Sequence, residues 1–455
     1  MLQKLKKIIA GIDADYADLR YEIKTTTKVR MSKGEVKETT SNSGDGFVLR
    51  VLKNGGFATI CFTREEDADE AIKKVLDNAQ MIAENQDNPT KMAAAPVVKD
   101  SYKPELIEDP RDYSIEDKIA LVKHYSDLYF TQPKVLDASV WYSDVIREKY
   151  FVNSEGSEIF EELVSCYLEA LVYCKEGDRT EEGYLPMSSS NGLWKLRNRD
   201  EDAIKTAKIA HDLLFAENVK GGTYDVILDS SMTGIFIHET IGHLSEADNV
   251  ENNPSIRQKM QLGTKLGSDI LNIIDDANMP DQIACYKYDD EGVEVKRVNL
   301  MTNGVITGRL HNRFTAAEFN EPLTGHNIAT GYEYDPIIRS GCTFVHSGES
   351  LFDDLLKQLN NGLYLCGYMS GMSSGDDFNF AARWGYKVEN GKITRMIKAC
   401  NMSGNIFETL KNITAIGNDL KFNEVNPCSK QQLNLRCSEG GPHILIKNIT
   451  VGGNV

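Results

Sequence analysis

The sequence predicts an α+β fold, in which an N-terminal α/β region is followed by a mainly antiparallel β domain. Helix and strand patterns are mixed before residue 218, whereas hairpin signals dominate after residue 222. A chain of 455 residues is also too long for one ordinary domain. We therefore expect an N-terminal region over residues 1–218 and a C-terminal domain over residues 222–455, separated by Val219-Lys220-Gly221-Gly222.

The N-terminal region begins with a predicted three-stranded β-meander covered by a helix. Alternating patterns predict strands at Leu19–Met31, Phe47–Leu52 and Gly56–Phe62, and Asn54-Gly55 is a hairpin signal between the last two. Apolar residues then recur at helical spacing over Glu65–Glu84. A second block contains predicted helices at Ile115–Leu128 and Asp200–Glu217, with strands at Val135–Tyr142, Glu148–Asn153 and Leu163–Tyr173.

The C-terminal domain begins with a short predicted strand, Tyr224–Leu228, and a helix that Ser230 or Ser231 can cap. Further on, Asn303-Gly304 and Asn390-Gly391 each lie between alternating apolar runs. This density of hairpin signals predicts a largely antiparallel arrangement.

The composition excludes several classes of protein. The net charge of 51 − 68 = −17 opposes contact with a phosphate backbone, so we expect no direct nucleic-acid binding. No apolar stretch has the length of a membrane span, and the first residues lack a signal peptide's apolar core, so no membrane association is expected. Nine scattered cysteines without a CxxC pair favour a reducing compartment, which predicts a cytoplasmic protein.

Residues 234–246, GIFIHETIGHLSE, carry most of the chemical information. Two imidazoles on one short element can hold a divalent metal, and a carboxylate beside the first can deprotonate a bound water. In the zinc motif HExxH the histidines are four residues apart, whereas His238 and His243 are five apart. Convergence of the two rings requires a π-bulge or an opened turn, which Gly242 is best suited to tolerate.

The same histidines have a simpler interpretation, in which both are satisfied polar groups on a buried helix. Spacing alone does not separate this interpretation from a metal site, so both stay open on the local pattern.

The stretch HETIGHLSEAD is similar to the HEAxGHxxExD segment of the TldD/PmbA family, long described as modulators of DNA gyrase and better understood as metallopeptidases. The resemblance covers most of the chain. Asp15-Tyr16-Ala17-Asp18-Leu19 resembles the family's N-terminal opening, and Thr450-Val451-Gly452-Gly453 resembles its end. Asp289-Asp290-Glu291-Gly292 and Glu389-Asn390-Gly391-Lys392 resemble its DDEG and ENGK segments. The chain is identified as a member of the metal-bearing, TldD-like type.

The resemblance implies a third metal ligand, a cysteine near the C-terminus within a Cys-Gly-Lys sequence. Cys428 and Cys437 are the two candidates. When Gly440-Gly441-Pro442 is aligned with the family's Gly-Gln-Pro, Cys428-Ser429-Lys430 falls on Cys-Gly-Lys without a gap, although Ser429 departs from glycine. Cys428 is therefore the expected ligand, and Cys437 is expected to be an ordinary strand or turn residue.

The function that the resemblance implies is a zinc-dependent peptidase acting on unfolded or extended polypeptides. Zn²⁺ would be held by His238, His243 and Cys428 with a fourth position open, and Glu239 would be the catalytic carboxylate that takes a proton from water. The N-terminal region would contribute substrate and dimer contacts. The dimer partner would be a second copy or a related subunit that lacks the HExxxH motif.

Two other functions compete with a metallopeptidase. A non-catalytic scaffold, the role of the family's metal-free partner, is opposed by the intact HExxxH motif. A thiol-based enzyme would instead use Cys428 or Cys437 together with His443.

Several further polar residues have weaker functional interpretations. Glu246 could orient a ligand imidazole, or it could be exposed to solvent. Residues 289–291 would suit a hard cation, but beside Gly292 such an acidic run more often forms a turn. His311 and His326 could be substrate contacts or extra metal ligands, but as isolated loop histidines they are expected to be solvated.

Overall fold

The computed structural model describes residues 1–424 and 428–453, and within them the chain forms ten α-helices and 24 β-strands. One large sheet is built from residues 16–189, and the other sheets are built from residues 222–453. Most strand pairs are antiparallel, so the predicted α+β class is confirmed. Residues 454 and 455 of the predicted C-terminal domain lie outside the described residues. Within the two described ranges, no helix has the length and apolarity needed to cross a membrane.

The N-terminal region is a seven-stranded sheet with packed helices. Its strands are β1 (Tyr16–Ser32), β2 (Glu35–Lys53), β3 (Gly56–Phe62), β4 (Lys99–Tyr102), β5 (Val135–Asn153), β6 (Glu158–Glu176) and β7 (Arg179–Ser189). Its helices are α1 (Leu2–Ile9), α2 (Ala68–Asn85), α3 (Ile115–Phe130) and α4 (Asp200–Leu213). The strand order is β3-β2-β1-β5-β6-β4, and β7 also pairs with β6. The predicted meander corresponds to β1–β3 and its covering helix to α2, so both are confirmed.

The two strands predicted at Val135–Tyr142 and Glu148–Asn153 are wrong as separate elements, because β5 runs continuously through both. The charged residues Asp144 and Arg147 interrupt the apolar pattern between them. Lys118 of α3 lies 2.7 Å from the Asp144 carboxylate, and Arg147 binds Glu22 of β1 at 2.7 Å. Distant partners therefore neutralise both charges and allow the strand to continue.

The C-terminal region contains the remaining helices and strands. Its helices are α5 (Ser230–Ile237), α6 (Ala247–Glu251), α7 (Pro254–Lys259), α8 (Arg313–Phe319), α9 (Phe352–Leu359) and α10 (Ile406–Lys411). Its strands are β8 (Gly222–Leu228), β9 (Ile273–Asp275), β10 (Val298–Thr302), β11 (Val305–Ile306), β12 (Asn327–Ile328), β13 (Ile337–Ile338), β14 (Cys342–Val345), β15 (Gly362–Ser374), β16 (Asp377–Glu389), β17 (Lys392–Ile397), β18 (Cys400–Asn405), β19 (Ile413–Ile416), β20 (Lys421–Phe422), β21 (Cys428–Lys430), β22 (Gln432–Leu435), β23 (Ser438–Gly441) and β24 (Ile444–Gly453). The predicted hairpins at Asn303-Gly304 and Asn390-Gly391 are confirmed as the β10–β11 and β16–β17 turns.

Helix α5 lies between two β-layers. In one layer, β15, β8, β24, β18 and β16 pair in that order, and a further β15–β16 pairing closes them into a ring. The other layer is a six-stranded sheet in the order β11-β10-β9-β14-β23-β20. The helix approaches β23 closely, because a Cβ at Gly441 would lie only 2.3 Å from Cγ2 of Thr233. This packing fixes the segment that carries the HExxxH motif.

Buried ion pairs join the N-terminal sheet to the loop that contains residues 289–291. Asp290 lies 3.0 Å from both Arg20 of β1 and Lys149 of β5, and Arg50 of β2 lies 3.3 Å from Glu291. The turn predicted beside Gly292 is confirmed, since this glycine has a φ of 72°. The acidic run therefore connects the two regions of the chain.

We expect Asp290→Asn to lower the free energy of unfolding by about 2 kcal/mol, because Arg20 and Lys149 each lose a buried carboxylate partner. Arg20 keeps Glu22 at 4.0 Å, and Lys149 keeps Glu161 at 3.1 Å. Burial raises the pKa of Asp290, but Arg20 and Lys149 outweigh it and hold this pKa below the ordinary value. The stabilisation is thus present above about pH 4 and is lost as the pH falls further. Calorimetry should show that the variant melts at a lower temperature than the native protein. This difference in Tm should be constant between about pH 7 and 5 and should narrow below about pH 4.

The matched control is Asp269→Asn, because the Asp269 side chain is 90% exposed and its ion pair with Lys265 lies at the surface. This variant should melt at the same temperature as the native protein. Equal melting of all three proteins would contradict a stabilising role for the Asp290 ion pairs.

Candidate metal centre

Helix α5 begins at a partly buried aspartate, Asp229. The Asp229 carboxylate accepts a hydrogen bond from the Met232 amide at 2.8 Å and another from Gly367 of β15 at 2.9 Å. The prediction that Ser230 or Ser231 caps this helix is therefore wrong, and the cap lies one residue earlier. Asp229 both starts the helix and attaches it to the β-ring.

The five-residue spacing of the histidines is accommodated by a π-turn over His238–Gly242, directly after α5. The ring centroids of His238 and His243 lie 4.9 Å apart, so the wider turn brings the imidazoles to one point as expected. Gly242 is not among the residues with a positive φ. A Cβ at this position would lie 3.4 Å from Oγ1 of Thr343, so close packing against β14 is its main constraint.

The structure brings together all four residues predicted for the site. One donor atom from each of His238, Glu239, His243 and Cys428 lies within 4.8 Å of the others. Sγ of Cys428 is 3.4 Å from Nε2 of His243, and the Glu239 carboxylate is 3.7 Å from the same nitrogen. Cys428 reaches the histidines from the β21–β22 hairpin, 185 residues further along the chain.

His238 provides a test of whether these residues fit a metal. Its ring is fully buried, and neither ring nitrogen has a hydrogen-bond partner among the described residues. A buried imidazole without partners is costly unless something binds it. Two imidazoles, a thiolate and a carboxylate form a donor set that suits Zn²⁺, so the site fits this metal.

Cys437 lies closer to the site than the sequence suggests. It is buried, and its Sγ lies within 4.8 Å of donor atoms of His238 and Glu439. A hydrogen bond from the Cys437 thiol and the charge of His238 hold the pKa of Cys428 below its ordinary value, despite burial. The same hydrogen bond, together with burial, raises the pKa of Cys437. Both thiols therefore border the site, Cys428 beside His243 and Cys437 beside His238.

Glu246 is fully buried behind His243. Its carboxylate lies 3.3 Å from Nδ1 of His243, 3.2 Å from Arg339 and 2.9 Å from Lys430. Burial lowers the pKa of His243, but the Glu246 charge and Cys428 outweigh it and raise this pKa to about 10. A carboxylate at Nδ1 directs the other nitrogen, Nε2, towards Cys428 and the common point.

Two predicted histidine environments are wrong, since His311 and His326 are buried and not solvated. His326 binds Asp275 at 3.0 Å, and His311 binds Glu321 at 3.0 Å. The chain around them is irregular, which suggests exposure from the sequence alone, but the layers of the C-terminal region cover it.

The thiol-based alternative is not supported by the position of His443. Nδ1 of His443 binds Asp419 at 2.6 Å, and Nε2 binds the Tyr364 hydroxyl at 2.8 Å. Both ring nitrogens are therefore engaged, and neither is available to activate Cys428 or Cys437.

Arg339 and Lys430 are site residues that the sequence did not identify. Both reach Glu246 across more than ninety positions of the chain. Lys430 lies two residues after Cys428 in the Cys-Ser-Lys sequence. This proximity to the expected ligand was the one local signal that Lys430 lies at the site. No spacing rule connects Arg339 to the motif.

Comparisons with known proteins match the whole length of the chain. The family models of the PmbA/TldA metallopeptidase domains match three consecutive segments of the chain. Domain 1 matches residues 17–83, the central domain matches residues 108–216, and the C-terminal domain matches residues 221–453. A Synechocystis protein named metalloprotease is 32% identical over 97% of this chain and 95% of its own length. A Saccharolobus solfataricus protein named zinc metalloprotease TldD homolog is 30% identical over 100% of both chains.

Solved structures share the fold at lower identity. A Thermotoga maritima protein solved as a candidate modulator of DNA gyrase superimposes with a TM-score of 0.82 at 20% identity, covering 99% of both chains. TldE from Thermococcus kodakarensis superimposes with a TM-score of 0.78 at 16% identity, again covering 99% of both chains.

The contact between Glu246 and His243 leads to a test. We expect Glu246→Gln to weaken metal binding by about 10- to 100-fold, because an uncharged amide no longer fixes the tautomer and basicity of the imidazole. The affinity can be measured by competition with a chromophoric chelator. The matched control is Glu251→Gln, an exposed position five residues further on. Equal affinity in both folded variants would show that Glu246 only fills space.

Proposed function

The chain belongs to the PmbA/TldD family of metallopeptidases, and on that premise we propose that it is a zinc-dependent enzyme that hydrolyses peptide bonds in unfolded or extended polypeptides. The observation that carries this proposal is the convergence of His238, Glu239, His243 and Cys428 on one point. In the proposal His238, His243 and Cys428 hold Zn²⁺, and Glu239 is free for catalysis.

The proposed chemistry assigns the proton transfers to Glu239. Zinc, when bound, supplies Lewis-acid activation of water and of the peptide carbonyl. The Glu239 carboxylate accepts the proton of the attacking water and then delivers it to the leaving amine. Glu239 is suited to this role because its side chain is 20% exposed, while His238 is fully buried. Substrate can therefore reach the base without displacing the innermost ligand.

The form of the substrate follows from the depth of the site. The side chains of His243 and Glu239 are 19% and 20% exposed. Strand β15 covers the π-turn, and the Ser373 hydroxyl donates to the backbone carbonyl of Glu239 at 2.7 Å. A single extended segment enters such a recess more readily than a folded surface does, which supports unfolded polypeptides as substrates.

The proposal also covers the partner and the cellular location of the enzyme. We propose that residues 1–218 contribute substrate and dimer contacts, and that the partner is a second copy or a related subunit without the HExxxH motif. All nine cysteines are free thiols, which supports a reducing, cytoplasmic location. The alternative of a non-catalytic scaffold is disfavoured, because such a subunit has no use for a carboxylate beside two convergent imidazoles.

Glu239→Gln should abolish peptide hydrolysis and leave the zinc content unchanged, because the side chain is assigned as a base and not as a ligand. Hydrolysis of an unstructured fluorogenic peptide and elemental analysis test both parts. The exposed Glu408→Gln, remote from the site, serves as the control and should retain activity. Loss of zinc from the Glu239 variant would overturn the role assignment, and full activity would overturn the proposed mechanism.

Paired cysteine variants test the third ligand. Cys428→Ser should lower zinc occupancy and activity sharply, because a hydroxyl is a far weaker zinc ligand than a thiolate. Cys437→Ser should leave both close to normal, since a serine hydroxyl can still donate a hydrogen bond to Cys428. The opposite pattern would assign the ligand to Cys437. No effect from either variant would mean that the site is completed by other groups.

A further inference from the structure

A cavity of about 350 Å³ lies beside the metal centre, between the N-terminal sheet and the C-terminal region. Its floor is one face of three neighbouring strands, and its rim is formed by Thr330 and residues 434–437. Period-two alternation places every second residue of each strand on this face. The floor residues are Lys24, Thr26 and Lys28 of β1, Ser143, Val145 and Arg147 of β5, and Ser165, Tyr167 and Glu169 of β6.

This face of the sheet is polar, whereas the alternate residues of the same strands point into the helix-covered core. Val140 and Tyr142 of β5, and Cys166 and Leu168 of β6, belong to that core with Tyr125 of α3. The polar floor therefore does not result from a poorly packed sheet. It is a separate surface, facing the metal-bearing region.

The cavity carries positive charge in a chain whose net charge is −17. Arg147 is neutralised by Glu22 at 2.7 Å. Among the described residues, no carboxylate lies within ion-pairing distance of Lys24, Lys28 or Arg436. Lys24 donates instead to the Thr330 carbonyl at 3.1 Å. Glu22 and Glu333 act on Lys24 from further away. None of the three cations forms a direct ion pair within the part of the chain that the structure describes.

Glu169 is the acidic residue of the floor, and it is already engaged. Trp141 donates to its carboxylate at 3.0 Å, and the Tyr184 hydroxyl donates to its other oxygen. These contacts hold Glu169 at the far end of the floor, because Trp141, its register partner on β5, lies two residues beyond Ser143. Glu169 therefore does not neutralise the cations.

Arg436 is the cation closest along the chain to the metal centre. Its guanidinium donates to the Ser165 hydroxyl and, at 3.1 Å, to the Cys285 carbonyl, but its Nε is buried without a partner. Burial lowers the pKa of Arg436. Each terminal nitrogen of the guanidinium carries a second N–H, so Arg436 keeps donors for an anion in the cavity that it lines.

The cavity and the metal centre are bordered by the same segment, residues 428–437. Leu435 lines the cavity and is the register partner of Cys428. Cys437 also lines the cavity and lies beside His238. The metal centre and the cavity therefore adjoin at Cys437, so a peptide that continues beyond the scissile bond can extend towards the cationic floor.

We propose that this cavity binds a carboxylate of the peptide substrate, either the free α-carboxylate of its C-terminus or an Asp or Glu side chain on one side of the scissile bond. The inference rests on the proposed peptidase function and adds a substrate class to it. Lys24, Lys28 and Arg436 provide the recognition, and residues around Glu239 carry out the cleavage.

Binding of peptides to the zinc-loaded Glu239→Gln protein tests the proposal without depending on turnover. The probes are one fluorescent unstructured peptide with a free C-terminus, the same peptide as its amide, and versions of both with each Glu replaced by Gln. A carboxylate held by charge-assisted hydrogen bonds should strengthen binding about tenfold. The acid–amide pair reports an α-carboxylate, and the Glu–Gln pair reports a side chain. The preference should weaken as ionic strength rises.

Three variants test which cations cause the preference for peptides that carry a carboxylate. Arg436→Gln should remove most of it, and Lys28→Gln, at an exposed position that the fold tolerates, should reduce it by about half. The matched control is Arg30→Gln, on the same strand and face as Lys28 but outside the cavity. This control should keep the full preference.

Each result has a definite meaning. Equal binding of acid, amide, Glu and Gln peptides would overturn the proposal, as would a preference that all three variants retain. Failure of the native enzyme to hydrolyse any of these peptides would instead count against the proposed function. In active enzyme, a loss of preference confined to KM in Lys28→Gln would support a binding role for the cavity.

Discussion

The architecture of the site depends on one geometric constraint: two imidazoles five residues apart must face a single point from a buried segment. On a regular α-helix, five steps of about 100° would leave the rings far out of line. The π-turn over His238–Gly242 removes the mismatch. It is held on several sides, by the Asp229 cap joined to β15, by the Thr240 hydroxyl bound to the Phe236 carbonyl, and by Ser373 on the carbonyl of Glu239.

Buried ion pairs hold other segments of the molecule in place around the π-turn. Glu246 is balanced by Arg339 and Lys430 behind the site, and Asp290 by Arg20 and Lys149 between the two regions. Buried charges are tolerated only when they are paired, so each pair also fixes the relative position of the segments it joins. The cationic cavity differs from both sets, because Lys24, Lys28 and Arg436 form no direct ion pair within the described residues.

Much of the fold could be predicted because its signals are local. The Asn54-Gly55 hairpin adopts left-handed φ angles of 52° and 85°, as its residue types indicate. The π-turn is one of the two geometries expected from the histidine spacing if both rings face one point. The continuity of β5 could not be predicted, because Asp144 and Arg147 are neutralised by residues far away in the sequence. Burial of His311 and His326, and the approach of Cys437 and Arg339 to the site, depend likewise on long-range packing.

The most direct test of a three-ligand zinc centre is X-ray absorption at the zinc edge on the purified, zinc-loaded protein. The account predicts one sulfur scatterer at about 2.3 Å and two imidazole nitrogens at about 2.0 Å, with the sulfur contribution lost in Cys428→Ser. A spectrum without sulfur, with two sulfurs, or with a single imidazole would contradict the assignment of His238, His243 and Cys428.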